Sequence, residues 1–503
     1  MRTNGMSTML LAKLAVASSL LMSLLLPAVA QTAPEVDSTA ATSSPPTSKL
    51  TGCYLKGISE QVQCGSLSVP QDYAAPDAKQ LTINYAVLPA VSESKRPDPL
   101  LILAGGPGQA AVELAPMINR IFAEVRKRRD ILLIDQRGTG QSEPLSCSLS
   151  HEQELVKTDD DVKLDEMARE CLAQFEQYDL TQFHSLHAIK DFEQVRQHLG
   201  YQQVNLYGGS YGSRAGLIYL REFPQSVRTA VLDAVAPPEV VVGPFGRHGA
   251  DAFNKLLEQC SASSACADTF PNLGDTYIQV LKQLEQQPQL ISIKDPLTNE
   301  PLEIMVTAGR FSSVMRVGLY HPTTRQMLPY VIDQTAKANY TPLVGLLGTT
   351  TAQAEIYMGL MLSVLCSEDL ARATPELLAA DGDNDFIGSR TGDAFVQMCS
   401  VWPQAERPSE WFAPVASDIP TLLLSGRLDP VTPPTWGALA AQTLTNSRHV
   451  IAEHGSHTIV SHTCANQLVA KFLETADPAA LDTSCIETKK AVPFILNSNG
   501  KGL

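Results

Sequence analysis

Two kinds of apolar pattern divide the chain. The first is a set of short, unbroken apolar runs: Pro99–Ala104, Ile131–Ile134, Val204–Tyr207, Thr229–Asp233, Ile419–Ser425 and Arg448–Glu453. Runs of this kind suit parallel strands covered on both faces, because neither side of such a strand needs polar residues. Between them, Ala111–Arg126, Leu186–Leu199 and Gly212–Phe223 carry apolar residues at helical spacing, and Gly200 stands where the second of these helices would stop. Strand and helix therefore alternate, which predicts an α/β architecture built on a mostly parallel, doubly wound sheet. Two earlier runs, Val62–Val69 and Leu81–Leu88, read as an antiparallel edge to that sheet.

The second pattern fills residues 239–414. Here amphipathic helical segments such as Asp251–Gln259, Asp275–Gln286 and Arg325–Lys337 follow one another without strand-helix alternation. The strand pattern resumes only at Ile419, and a closing helix spans about Cys464–Glu474. The expected organisation is thus a first core part at 50–238, a helical cap at 239–414 and a second core part at 415–503.

The most informative strand ending is Val204–Gly212, V-N-L-Y-G-G-S-Y-G. A G-x-S-x-G that follows a strand and opens a helix reads as a nucleophile elbow, which exposes its serine at the top of the sheet. Glycines two residues before and after the serine relieve collisions with the neighbouring strand and helix. Ser210 is accordingly the candidate nucleophile. A serine nucleophile needs a base to take its proton and an acid to orient that base, and on this architecture the order along the chain is Ser, Asp or Glu, His. Asp429 follows the strand at 419–425 and His457 follows the strand at 448–453, which would bring both to the sheet edge that carries Ser210. His454 is the rival base. His457 is preferred because it ends the Gly455-Ser456 turn, from which a loop can bend back over the serine.

Composition places this chemistry in a compartment. Residues 1–30 hold Arg2, Lys13, no acid, an apolar stretch over Leu14–Leu26 and Ala28-Val29-Ala30, the pattern of a secretory signal peptide. The serines at 18, 19 and 23 interrupt the apolar stretch and argue against a membrane anchor. Residues 31–49, rich in Thr, Ser, Ala and Pro, read as a flexible linker. All ten cysteines fall after the leader, and an even count in a secreted chain points to disulfides. Sequential pairing closes short loops and is the simplest scheme, with Cys260–Cys266 the firmest pair, although spacing does not fix connectivity. Zinc ligation is disfavoured because no cysteine or histidine cluster has ligand spacing. The net charge of -15 becomes -17 when Arg2 and Lys13 leave with the signal, which argues against nucleic acid or an anionic membrane as partner.

At these motifs the sequence resembles the alpha/beta-hydrolase serine peptidases of the proline iminopeptidase and tripeptidyl aminopeptidase family. Ala104-Gly-Gly-Pro-Gly108 is similar to that family's H-G-G-P-G, and Asp135-Gln-Arg-Gly-Thr-Gly-Gln-Ser142 to its D-Q-R-G-x-G-x-S. Gly208–Gly212 is similar to its serine elbow, while Gly426-Arg-Leu-Asp429 and Gly455-Ser-His457 take the places of its acid and base. Cys366 and Cys399-Ser-Val-Trp402-Pro403 resemble the end of the cap in the tripeptidyl branch. Ala104 departs from the family's histidine. The resemblance implies an alpha/beta-hydrolase fold, catalysis by Ser210, Asp429 and His457 without a cofactor, and peptide substrates. Pro107 has no N–H, so the oxyanion donors are expected from the backbone of Tyr211 and of Gly106 or Gly105.

The resulting expectation is a secreted or periplasmic exopeptidase acting through an acyl-enzyme on peptides with a free amino terminus. An esterase using the same triad is the alternative, since fold does not dictate substrate. An ammonium bound in a closed pocket must meet an anion. Leu365-Cys366-Ser367-Glu368-Asp369 offers two carboxylates beside a cysteine that Cys399 would tether, so Glu368 and Asp369 are the candidates. A solvated helix end is the alternative role for both.

Overall fold

In a computed structural model, residues 50–147, 155–294, 299–351 and 356–501 are described. The expected signal peptide and linker lie outside them. Nine strands form the central sheet: β1 (Thr51–Cys53), β2 (Val62–Pro70), β3 (Gln80–Leu88), β4 (Leu100–Leu103), β5 (Ile131–Ile134), β6 (Val204–Gly209), β7 (Val227–Asp233), β10 (Thr421–Gly426) and β11 (Ser447–Ala452). Two further strands, β8 (Gln289–Lys294) and β9 (Pro301–Val306), pair as a separate antiparallel hairpin.

The strand order is β1-β2-β3-β5-β4-β6-β7-β10-β11. Pairings from β5 through β11 are parallel and those among β1, β2, β3 and β5 are antiparallel. This is the alpha/beta-hydrolase fold, with the antiparallel edge where the alternating runs placed it. Every residue of β4 and β5 is buried, as continuous apolar strands require. The alternate side chains of these strands feed two apolar layers. Leu101, Leu103, Leu132 and Leu206 face one, and Leu100, Ile102, Leu133 and Leu422 face the other. Helices Ser185–Leu199 and Tyr211–Glu222 cover the first layer, and helix Ala465–Thr475 covers the second.

Between β7 and β10 the chain forms a succession of helices with its own apolar core, to which Phe253, Tyr277, Phe311 and Leu328 contribute. The hairpin β8-β9 interrupts this stretch, which was expected to be mostly helical. Its first strand alternates half-buried and exposed residues, with Ile291 packing on the helical core. Two expected helices are also subdivided. Arg325–Lys337 is in fact Pro322–Arg325 followed by Leu328–Ala336, and Ala111–Arg126 is Ala115–Ile121 followed by Ala123–Arg126. Pro329 sits in the first turn of Leu328–Ala336 and Pro116 in the first turn of Ala115–Ile121, each where a missing N–H costs nothing. Five disulfides join the cysteines in sequential pairs: Cys53–Cys64, Cys147–Cys171, Cys260–Cys266, Cys366–Cys399 and Cys464–Cys485.

Candidate active site

β6 runs straight into the helix Tyr211–Glu222, and the residue at the corner is Ser210, with φ 57° and ψ −125°. A non-glycine residue there is strained and is held only because its surroundings determine it. The two glycines that flank it show how. A Cβ on Gly208 would stand 2.1 Å from the Gly212 carbonyl oxygen, and one on Gly212 would stand 2.0 Å from that of Leu103. The turn is therefore packed against β4 by glycine alone. Ser210 is only half-buried, and its N–H donates to the Asp233 carbonyl at the end of β7 (2.9 Å).

Tyr211 opens the helix, so its N–H belongs to the first turn, where no helical carbonyl is available to accept it. The Gly105-Gly106 turn after β4 lies against the elbow. A Cβ on Gly105 would come within 3.1 Å of the Gly209 carbonyl and 3.4 Å of Ser210 Cβ. Both segments expected to donate to an oxyanion thus border the serine.

Asp429 follows β10 and is buried at 4% exposure. Its Oδ1 accepts the N–H groups of Val431 (2.8 Å) and Thr432 (2.9 Å), while Oδ2 accepts the Thr432 hydroxyl (2.8 Å) and lies 2.8 Å from His457 Nδ1. Burial would raise the pKa of this carboxyl, but His457 and these donors outweigh it and hold it below the usual range. The reciprocal balance acts on His457. Burial disfavours the imidazolium, yet the charge and hydrogen bond of Asp429 prevail and raise its pKa above 6.5. The His457 amide donates to the Tyr320 carbonyl (3.0 Å), and the Tyr320 ring meets the imidazole edge-on at 5.1 Å. With Nδ1 facing Asp429, Nε2 is the ring nitrogen free to act as a base. His454, the rival base, is not the histidine bonded to Asp429; its Nδ1 has no partner among the described residues.

Glu368 and Asp369 end the helix Met358–Glu368 and are each 1% exposed. Neither is a solvated helix end. Asp369 is matched by the buried guanidinium of Arg214, whose Nη1 lies 2.8 and 2.9 Å from its two oxygens, and it also accepts the Val242 amide (2.8 Å). Glu368 accepts the Ser185 amide (2.8 Å) and hydroxyl (2.7 Å), and the Ser185 hydroxyl is in turn 2.8 Å from the Tyr211 hydroxyl. Burial raises the Glu368 pKa against these hydrogen bonds.

Residues 98–258 match the model of the alpha/beta hydrolase fold family, and residues 384–485 match that of the TAP-like protein family. The chain has the alpha/beta-hydrolase fold, and its residues 384–485 are similar to the TAP-like protein family. It is similar to the serine protease Hip1 of Mycobacterium tuberculosis (strain ATCC 25618 / H37Rv), at 24% identity over 82% of this chain and 84% of the relative. Similarity to the tripeptidyl aminopeptidase of Streptomyces lividans is 25%, covering 85% of this chain and 84% of that one. A carboxylesterase B of Mycobacterium tuberculosis (strain CDC 1551 / Oshkosh) is 25% identical over 76% of this chain and 78% of its own. The chain is a serine hydrolase with peptidase relatives.

Two residues of the site were not singled out from sequence. Asp233 accepts the amides of Ile459 and Val460, both at 2.9 Å, just beyond His457. Its pKa is pushed up to about 6 by burial, against these amides and the nearby imidazole. Thr432 supplies the hydroxyl shared by Asp429 and His457, lying 3.3 Å from His457 Nδ1. The strand-terminal position of Asp233 was the available signal for the first. Thr432 gave none beyond lying three residues after the acid.

The Asp135–Ser142 motif builds scaffold beside this site. Asp135 accepts the amides of Val112 (2.9 Å) and Gln141 (3.2 Å) and the Asn84 side chain (3.0 Å). Arg137 is fully buried and pairs with Asp191 through two hydrogen bonds of 2.7 and 2.6 Å. The motif thereby fastens the loop after β5 to β3 and to the helix Ser185–Leu199.

Proposed function

We propose that this serine hydrolase is a secreted or periplasmic serine exopeptidase that removes residues from the free amino end of peptides. The observation that carries the reading is the buried 2.8 Å pair of His457 and Asp429 on the strand ends beside a serine held at a strained elbow. In this mechanism Ser210 Oγ attacks the scissile carbonyl and its proton passes to His457 Nε2. The oxyanion is met by the backbone N–H groups of Tyr211 and of Gly106 or Gly105. Collapse of the tetrahedral intermediate breaks the C–N bond, and His457 gives its proton to the leaving amine. Water, deprotonated by the same nitrogen, then hydrolyses the acyl-enzyme. Asp429 stays ionised throughout, fixing the imidazole tautomer and stabilising its charged form.

Residues 239–414 act as the cap that limits access from the amino side. An ammonium held under it needs an anion, and Asp369 is already neutralised by Arg214. Glu368 carries no such ion pair in its hydrogen bonds and stands one serine hydroxyl from Tyr211, so it is the carboxylate we assign to the ammonium. For that, the ammonium takes over donors now supplied by Ser185. The five disulfides fit an oxidising compartment, and no helix among the described residues is long and apolar enough to cross a membrane.

The test is a panel of chromogenic substrates: aminoacyl, prolyl and tripeptidyl anilides, each with a free or acetylated amino end, and a short-chain nitrophenyl ester. The exopeptidase reading expects acetylation to reduce kcat/KM by about 10- to 100-fold or more, the worth of a hydrogen bond to a charged group. Turnover of the ester alone would replace it with the esterase reading, to which the carboxylesterase relative draws attention. Glu368→Gln should raise KM for free-amine peptides and leave the ester unchanged. Equal losses on both would assign Glu368 to holding Ser185 and the elbow.

A further inference from the structure

Behind the acid-base pair lies a second constellation. Arg325 is 5% exposed, and its Nη1 donates to a neutral amide, Gln259 Oε1, at 2.6 Å. Its Nε and Nη2 have no hydrogen-bond partner among the described residues. Those two nitrogens form one edge of the guanidinium fork, the edge that grips an anion with two parallel N–H groups. Burial alone pushes the Arg325 pKa down to about 10, which still leaves it charged at neutral pH; an adjacent carboxylate would have acted in the opposite direction. A buried cation without a counter-charge costs several kcal/mol, a cost that an anion placed beside Arg325 would offset.

The Arg325 side chain borders a cavity of about 20 Å³, lined also by Gln326, Leu428, His454, Ser456 and, from the C-terminal tail, Phe494. Two of these lining residues carry further unpartnered groups that can donate: His454 Nδ1 and the Ser456 hydroxyl, the latter fully buried. Gln326 Oε1 is also unpartnered and can in turn hold one of these donors in place. The volume suffices for one guest of about the size of a water molecule or a halide ion.

We propose that this cavity is a binding site for one small monovalent anion, of the halide class, held by Arg325 Nε and Nη2 with Ser456 and His454. Its place in the chain gives the site a structural consequence. Ser456 and Leu428 immediately precede His457 and Asp429, while Arg325 belongs to the cap segment whose Tyr320 carbonyl accepts the His457 amide. The tail is fastened to the same segment, since the Ile495 amide donates to the Gln326 carbonyl (2.9 Å). A bound anion would thus tie cap, histidine loop and tail together, and it can be detected without reference to any substrate.

The experiment compares thermal unfolding of the full chain in sodium chloride and in sodium gluconate at equal ionic strength, gluconate being a bulky organic anion many times the size of a halide. The expected result is a midpoint about 2–4 °C higher in chloride. Arg325→Gln should abolish that difference, whereas Arg325→Lys, which keeps the charge, should retain part of it. An equal midpoint in both salts for the native chain, or an undiminished difference in Arg325→Gln, would overturn the proposal. Should the glutamine variant not fold, crystals of the native chain soaked in sodium bromide decide. An anomalous peak within hydrogen-bond reach of Arg325 Nε and Nη2 supports the site, and a water there without anomalous signal refutes it.

Discussion

The carbonyl of Asp233 accepts the Ser210 amide at 2.9 Å, so the end of β7 sets the position of the elbow, and the carboxylate of the same residue holds the loop that carries His457. One residue thereby fixes the distance between nucleophile and base from both of its ends. In Asp233→Asn the backbone bond survives, but an amide nitrogen must face one of two N–H donors that a carboxylate accepts without conflict. The histidine loop is expected to shift, with kcat reduced by about 10- to 100-fold. KM should stay near the native value. Steady-state kinetics check the split; a loss confined to KM would mean that Asp233 does not position the base.

Thr432 donates to the Asp429 oxygen that also faces His457. Removing a hydrogen bond to a buried carboxylate costs about 1.5–3 kcal/mol. Thr432→Val should therefore lower kcat/KM by about 10- to 100-fold, and Thr432→Ser should restore most of it. A valine variant of native activity would show that the two amides on Oδ1 suffice to hold Asp429.

The pH profile follows from the same pair. The base acts only when neutral, and Asp429 raises the His457 pKa above the ordinary 6.5. Activity should then rise with pH through a midpoint above 6.5, later than for an unperturbed histidine. In Asp429→Asn the cause of the shift is gone while burial remains. The acid limb of the residual activity should move to lower pH as the rate falls. A limb that stays in place would separate the titrating group from His457.

Much of this was legible along the chain because it is local. Apolar runs that bury every residue, as in β4 and β5, can be little else than inner strands, and the glycines around Ser210 announce a turn that tolerates no Cβ. The order Ser210, Asp429, His457 follows from strand order alone. What escaped depends on partners far away in sequence. Asp233 looks like an ordinary strand end until the loop at 459–460 folds onto it, and Arg214 gives no sign in sequence that it will neutralise Asp369. The β8-β9 hairpin was hidden because its strands are short, half-exposed and set among strongly periodic helices. Pro329 marks the restart of one subdivided helix at Leu328 and Pro116 the start of the other at Ala115, whereas the break at Phe122 carries no such mark.

The Arg214–Asp369 pair also separates stability from catalysis in the cap. Both side chains are almost fully buried, so Asp369→Ala leaves an uncompensated guanidinium and should destabilise the fold by about 3–5 kcal/mol. Chemical denaturation measures it. A change below about 1 kcal/mol, the scale of a surface pair, would mean that water reaches Arg214.

The account stands or falls on Ser210 as the nucleophile. A fluorophosphonate should form one covalent adduct, and peptide mass spectrometry should place it on Ser210, in the peptide containing Gly208–Gly212. Ser210→Ala should take up no label and lose about 10⁴-fold or more of the rate. An adduct on another serine, or labelling and turnover preserved in Ser210→Ala, would contradict the account.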